Sequence, residues 1–308
     1  MRSIGLLSTL VTLLLIVSNV SAQEKPVSKE AESADYVKVH SKLDKPYELL
    51  GGPIQVDIDQ KSGGVHVALP DNRKLDPLIF GTPKMPRNYG GTPIVAGVPL
   101  KMRNQENGKY TTVKEKTPFG DKYMTMKNGK LTLSALDVTA TDAATTNDKV
   151  MMDASWQDDQ GNTYEVKCCD AMASHGIDYP TFGGVATNMV LHGFSGIGTP
   201  LMPSEYTYFA FWGMGKILKN GKVLAAPRLI HGMLTEYVRK QNYELGFDKD
   251  VTPEKRHFHL ITPPVIPDMK NFSFSGSPVD TGFKLPNGKE LPFWHVMFDN
   301  LEIKSSRK

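Results

Sequence analysis

Two cysteines in 308 residues cannot staple a chain of this size the way small secreted scaffolds are stapled, so stability must come from a buried core. Charge of one sign is lacking as well. Against 36 Lys and Arg stand 33 Asp and Glu, a net +3, and the only basic run is the terminal KSSRK. No surface is expected to track a phosphate backbone, so nucleic acid is excluded as a partner. Beyond residue 22 no apolar run is long enough to span a bilayer, which argues against a stable membrane anchor. Capped segments of helical period are nearly absent, so a parallel α/β enzyme is not expected. The glycine-rich HGFSGIGTP, residues 192–200, is not closed by a GK[ST] and has no βαβ context, which excludes phosphate and dinucleotide loops. Ser195 lacks the G-x-S-x-G frame. An acyl-transfer role for it would need His192, oriented by a carboxylate such as Asp178 or Glu205. No C-x-x-C-H is present for covalent haem.

What is present begins with a leader. Residues 1–22, MRSIGLLSTLVTLLLIVSNVSA, combine Arg2, an apolar run from Ile4 to Val17 and a small-residue VSA, which reads as a signal peptide cut before Gln23. The mature protein is then expected in the periplasm or outside the cell. Residues 23–47 open with the charged, small-residue QEKPVSKEAESAD and read as a flexible tether.

From there the recurring unit is a short alternating run ended by Gly, Asn, Asp or Pro. In IQVDIDQKSGGVHVAL, Ile54, Val56 and Ile58 face one way and Gln55, Asp57 and Asp59 the other. Asn128-Gly129, the DDQGN of residues 158–162, Asn220-Gly221 and Asn287-Gly288 each separate two such runs and predict hairpins. The expected fold is all-β and mainly antiparallel, a β-sandwich or jelly-roll, one large or two packed. A looser segment after residue 170 divides the chain into β-rich halves, 48–170 and 171–308, with one continuous domain as the alternative reading.

Chemistry concentrates in the second half, which holds His175, His192, His231, His257, His259 and His295, against His40 and His66 before residue 170. In RHFHL, His257 and His259 lie two residues apart on a strand and so share a face, a spacing that lets both imidazoles reach one metal ion. RLIHGMLTEYVR places His231 and Met233 on one face of a second strand. If that strand pairs with 256–261, His231 converges on His257 and His259. The adjacent Cys168 and Cys169 point to opposite faces of regular β-structure. They are read as soft-metal ligands with Met172 and His175 nearby, as a vicinal or intermolecular disulfide, or as buried thiols.

The leading expectation is a metal-binding protein, with copper or zinc held by histidines of the second half. Two alternatives stand beside it: a non-enzymatic module for a glycan, lipid or protein partner, and a secreted metal-dependent hydrolase. No catalytic residue is assigned.

Overall fold

The computed structural model describes residues 54–91, 97–138, 147–170, 184–268, 273–276 and 282–307. The expected signal peptide and tether lie outside the described residues, as do Met172 and His175. The strands, in chain order, are β1 (Ile54–Gln60), β2 (Val65–Ala68), β3 (Gly81–Thr82), β4 (Met85–Pro86), β5 (Arg103–Glu106), β6 (Lys109–Val113), β7 (Tyr123–Asp137), β8 (Lys149–Gln157) and β9 (Thr163–Asp170). They continue with β10 (Val185–Leu191), β11 (Glu205–Lys219), β12 (Lys222–Tyr237), β13 (Thr252–Thr262), β14 (Val265–Asp268), β15 (Ser273–Gly276), β16 (Trp294–Phe298) and β17 (Glu302–Arg307). One short α-helix, α1 (Pro77–Phe80), is capped by Asp76, whose side chain accepts the Leu78 N–H.

The antiparallel all-β expectation holds, and the pairings specify it further. The order β7-β2-β16-β13-β12-β11-β9-β8 returns to β7 because β8 also pairs with β7, so the main sheet closes on itself. Around this ring the strands follow chain order, each antiparallel to the next. β1 and β2 run one after the other along the same edge of β7, and β17 continues β16 against β1. Strands from both sides of residue 170 therefore hydrogen-bond into one sheet.

Two of the four turn signals behave as expected. Asn220 and Gly221 take φ 51° and 75° between the paired Lys219 and Lys222, a geometry that needs two residues tolerant of positive φ. Residues 158–162 join β8 to β9 through the pair Gln157 and Thr163. Asn128-Gly129 is a correction, because it lies inside β7 as a bulge. The register against β8 shifts between Lys127 and Lys130, and Gly129 N–H donates to Gly63 O at 2.8 Å. The strand runs on because β1 and β2 supply partners on both sides of the bulge. Asn287-Gly288 turns within a loop held by the single bridge Lys284 to Glu290, not between two strands.

Alternation along the ring strands sends one set of apolar side chains to a common cluster. Every strand of the ring contributes, from Val65 and Val67 through Trp156, Phe211 and Phe258 to Trp294, so this cluster fills the barrel interior. Phe283, Leu291 and Phe293 join it from the loop before β16. Each fully buried large side chain adds ~1.5–3 kcal/mol.

The outer wall is partly covered. Residues of the 69–121 segment, including Leu75, Phe80 and Phe119, pack with Leu201, Leu245 and Val251 in a second apolar cluster against Ile261 of β13. Buried arginines tie this cover down. Arg73 donates to the carbonyls of Leu201 at 3.0 Å, Leu245 at 2.9 Å and Gly246. Arg239 donates to Gly120 O at 2.6 Å.

Asp248, fully buried in this layer, accepts the Ser204 N–H at 2.8 Å. Burial, opposed by that hydrogen bond, pushes its carboxyl up to about 7. The folded state then holds a proton that the unfolded chain releases near pH 4, so stability falls as pH rises from about 4 to 7 and is level above. Between pH 5 and pH 8 the loss is about 2–3 kcal/mol. Urea melts of Asp248→Asn should show that fall removed, and an unchanged pH profile would refute the assignment.

Candidate metal centre

The outward-facing row across β11, β12, β13 and β16 carries the polar chemistry. Thr235 stands opposite His257, Met233 opposite His259, and Ile261 opposite His295. The expected pairing of the His231 strand with 256–261 is therefore present. A bulge decides the next member. Thr207 is opposite Thr235, but Phe209 is opposite Leu234, so one extra residue on β11 flips the alternation. Phe209 points into the barrel, while Thr207 and Glu205 share the outer face with His257 and His259. Strict alternation puts Glu205 and Phe209 on one face, which is why sequence periodicity misses Glu205 as a ligand.

Glu205, His257 and His259 bring one ligand atom each to within 4.8 Å of one another. This buried trio could hold a metal ion. His257 Nε2 and His259 Nε2 are 2.8 Å apart, and all three side chains are at most 1% exposed. Neither carboxylate oxygen of Glu205 has a hydrogen-bond partner within 3.5 Å; the Thr235 hydroxyl, which donates to Glu236 O at 2.8 Å, is near enough to oppose the rise of its pKa.

Proton positions follow from the surrounding partners. Pro118 O lies 2.9 Å from His295 Nδ1 and can only accept, so that nitrogen carries the hydrogen and His295 Nε2 presents a lone pair. His259 Nδ1, 2.9 Å from His295 Nε2, must then donate, leaving a lone pair on His259 Nε2. On the other ring, His257 Nδ1 faces Asp299 Oδ1 at 3.6 Å, and the Val238 N–H donates to His257 Nε2 at 3.4 Å. His259 Nε2 thus carries a lone pair, and its 2.8 Å contact with His257 Nε2 is a hydrogen bond when His257 holds its hydrogen on Nε2. With that hydrogen on Nδ1, toward Asp299, both Nε2 atoms are free to bind a metal, each ring oriented by an outer partner.

Electrostatics agree. Burial lowers the His257 pKa despite Asp299, and burial with the neighbouring His257 and His295 holds His259 well below its usual value. Burial and Glu236 push Glu205 well up. Asp299 goes the other way: burial acts to raise it, but His257 and His66 outweigh burial and hold it well below the carboxylate range.

The remaining expected ligands are placed as follows. His231 lies one row beyond the trio, opposite Ile261, with Nδ1 2.7 Å from Phe211 O and its ring stacked on Trp212. It is not a member of the group. Cys168 and Cys169 are joined to each other in a disulfide on β9, which pairs with the opposite end of β11 from Glu205. In that state neither offers a thiolate. Ser195 uses its hydroxyl on Ile197, accepting the N–H at 3.1 Å and donating to O at 3.2 Å, so no His192–Ser195 acyl-transfer pair is assembled.

No protein-family profile, no curated protein and no solved structure matches this chain.

Proposed function

We propose that this is an exported metal-binding protein whose ion is held by Glu205, His257 and His259. The observation that carries the reading is the convergence of one ligand atom each from Glu205, His257 and His259, all buried, to within 4.8 Å of one another. Without an ion, burial keeps the Glu205 carboxyl protonated and the two imidazoles are hydrogen-bonded to each other through their Nε2 atoms. A divalent metal replaces the carboxyl proton and the hydrogen between the rings and accepts all three donors. Two imidazoles and a carboxylate suit zinc. Copper is the second reading, favoured by the Met233 thioether close by. Export is supported by the leader-like N-terminus and by the Cys168–Cys169 disulfide, a bond that persists in oxidising compartments.

Protein purified without an affinity tag is expected to contain, or take up, about one zinc or copper per chain. His257→Ala with His259→Ala should lose it. Elemental analysis decides the matter: no metal and no uptake would remove the reading and leave a non-metal binding module for a glycan, lipid or protein partner.

A further inference from the structure

Resting on that metal reading, we infer that His192 is the fourth protein ligand, so that the site is a closed set of three imidazoles and one carboxylate. His192 is the first residue after β10 and Glu205 the first of β11, and the pair Leu191 to Glu205 closes the hairpin between them. The hairpin therefore delivers both side chains to one place. His192 Nε2 lies 3.8 Å from Glu205 Oε1. Its Nδ1 is 3.1 Å from Thr199 O, which can only accept, so Nδ1 carries the hydrogen and Nε2 presents a third lone pair to the same carboxylate. The Met233 sulfur, 3.5 Å from Nε2, is a thioether that can only accept and has no hydrogen to give it.

The loop is shaped around this ring. His192 itself has φ 61°, a left-handed conformation that costs a non-glycine residue ~1–2 kcal/mol and marks sites where function over-determines the backbone. Gly198, at φ 77°, lies so close that a Cβ there would stand 2.7 Å from the imidazole. A tetrahedral ion with bonds of about 2 Å spaces its donors by roughly 3.3 Å, near the 3.8 Å separation of His192 and Glu205. His192 is not within 4.8 Å of all three members of the trio, so its ring must move inward to join them on the ion. Four protein ligands leave no position for a water. A closed site serves structure or electron transfer and does not serve hydrolysis.

The test uses the whole protein and copper(II) as the probe. Pulsed electron paramagnetic resonance is expected to count three coordinated imidazoles in the wild type and two in His192→Gln. His192→Gln should still bind one ion, with affinity reduced by more than the ~10–100-fold that loss of an outer partner costs. Two imidazoles in the wild type, or a His192→Gln variant of unchanged affinity, would overturn the fourth ligand while leaving the trio intact. A wild type that binds no copper and no zinc overturns the metal reading itself. The wild-type count stands even if the variant does not fold.

Discussion

Glu205→Leu should make the metal-free protein more stable and the metal-loaded protein less so. Without an ion, the wild type buries a carboxyl group neither of whose oxygens has a hydrogen-bond partner within 3.5 Å, with the Thr235 hydroxyl its nearby polar neighbour. Leucine occupies a similar volume and removes that cost, a gain of about 1–3 kcal/mol. With metal at a thousandfold excess over its dissociation constant, the wild type gains about 4 kcal/mol from binding, which the variant forfeits. The two melting curves should therefore cross over between chelator and saturating metal. Leucine stabilising in both conditions would mean that no ion uses the carboxylate, and leucine destabilising in both would mean that Glu205 has a structural partner.

Arg73→Met should cost about 3–5 kcal/mol, the largest loss expected from any single change in the cover. The guanidinium is buried among three backbone carbonyls, those of Leu201, Leu245 and Gly246, and Asp121 stands 4.0 Å away. Burial lowers its pKa to about 10, so it remains charged at neutral pH. Methionine fills the volume but leaves three acceptors unsatisfied. The effect should reach the site, because Leu201 belongs to the loop that joins His192 to Glu205. Denaturant unfolding and metal affinity measured together test this: weakened binding at temperatures where the variant is folded is the expected signature, and a loss under 1 kcal/mol would refute the role.

How much of this was legible before folding depends on whether the cause was local. His257 and His259 were legible because two residues apart on a strand means one face, whatever the strand pairs with. Their pairing with the His231 strand followed from the alternation of both. Glu205 was hidden by a single extra residue at the β11 bulge, which no composition or period announces. The same dipeptide, Asn-Gly, makes a hairpin at residue 220 and a bulge at residue 128, because the second is flanked by β1 and β2 along one edge. The roles of His295, Asp299 and Pro118 arise from contacts across long sequence separations. Ring closure likewise rests on the β7 to β8 and β2 to β16 pairings, which no segment specifies alone. His231 was drawn into the expected ligand set by sharing a face with Met233, but it stands one row too far along its strand. The cysteines had a disulfide among their expected states, and the structure selects that state.

The closed ring also has a bearing on biosynthesis. Its seam is β2 against β16, with β1 against β17 beyond it. The chain's earliest described strands therefore wait for its latest. Until β16 and β17 have left the ribosome, β2 and β13 each present an open edge, the kind of surface that recruits strands from other chains. A nascent copy is thus most vulnerable just before it is finished. His295 and Asp299, which contact the imidazoles of the trio, arrive with those final strands, so the trio takes its arrangement only once the barrel has closed.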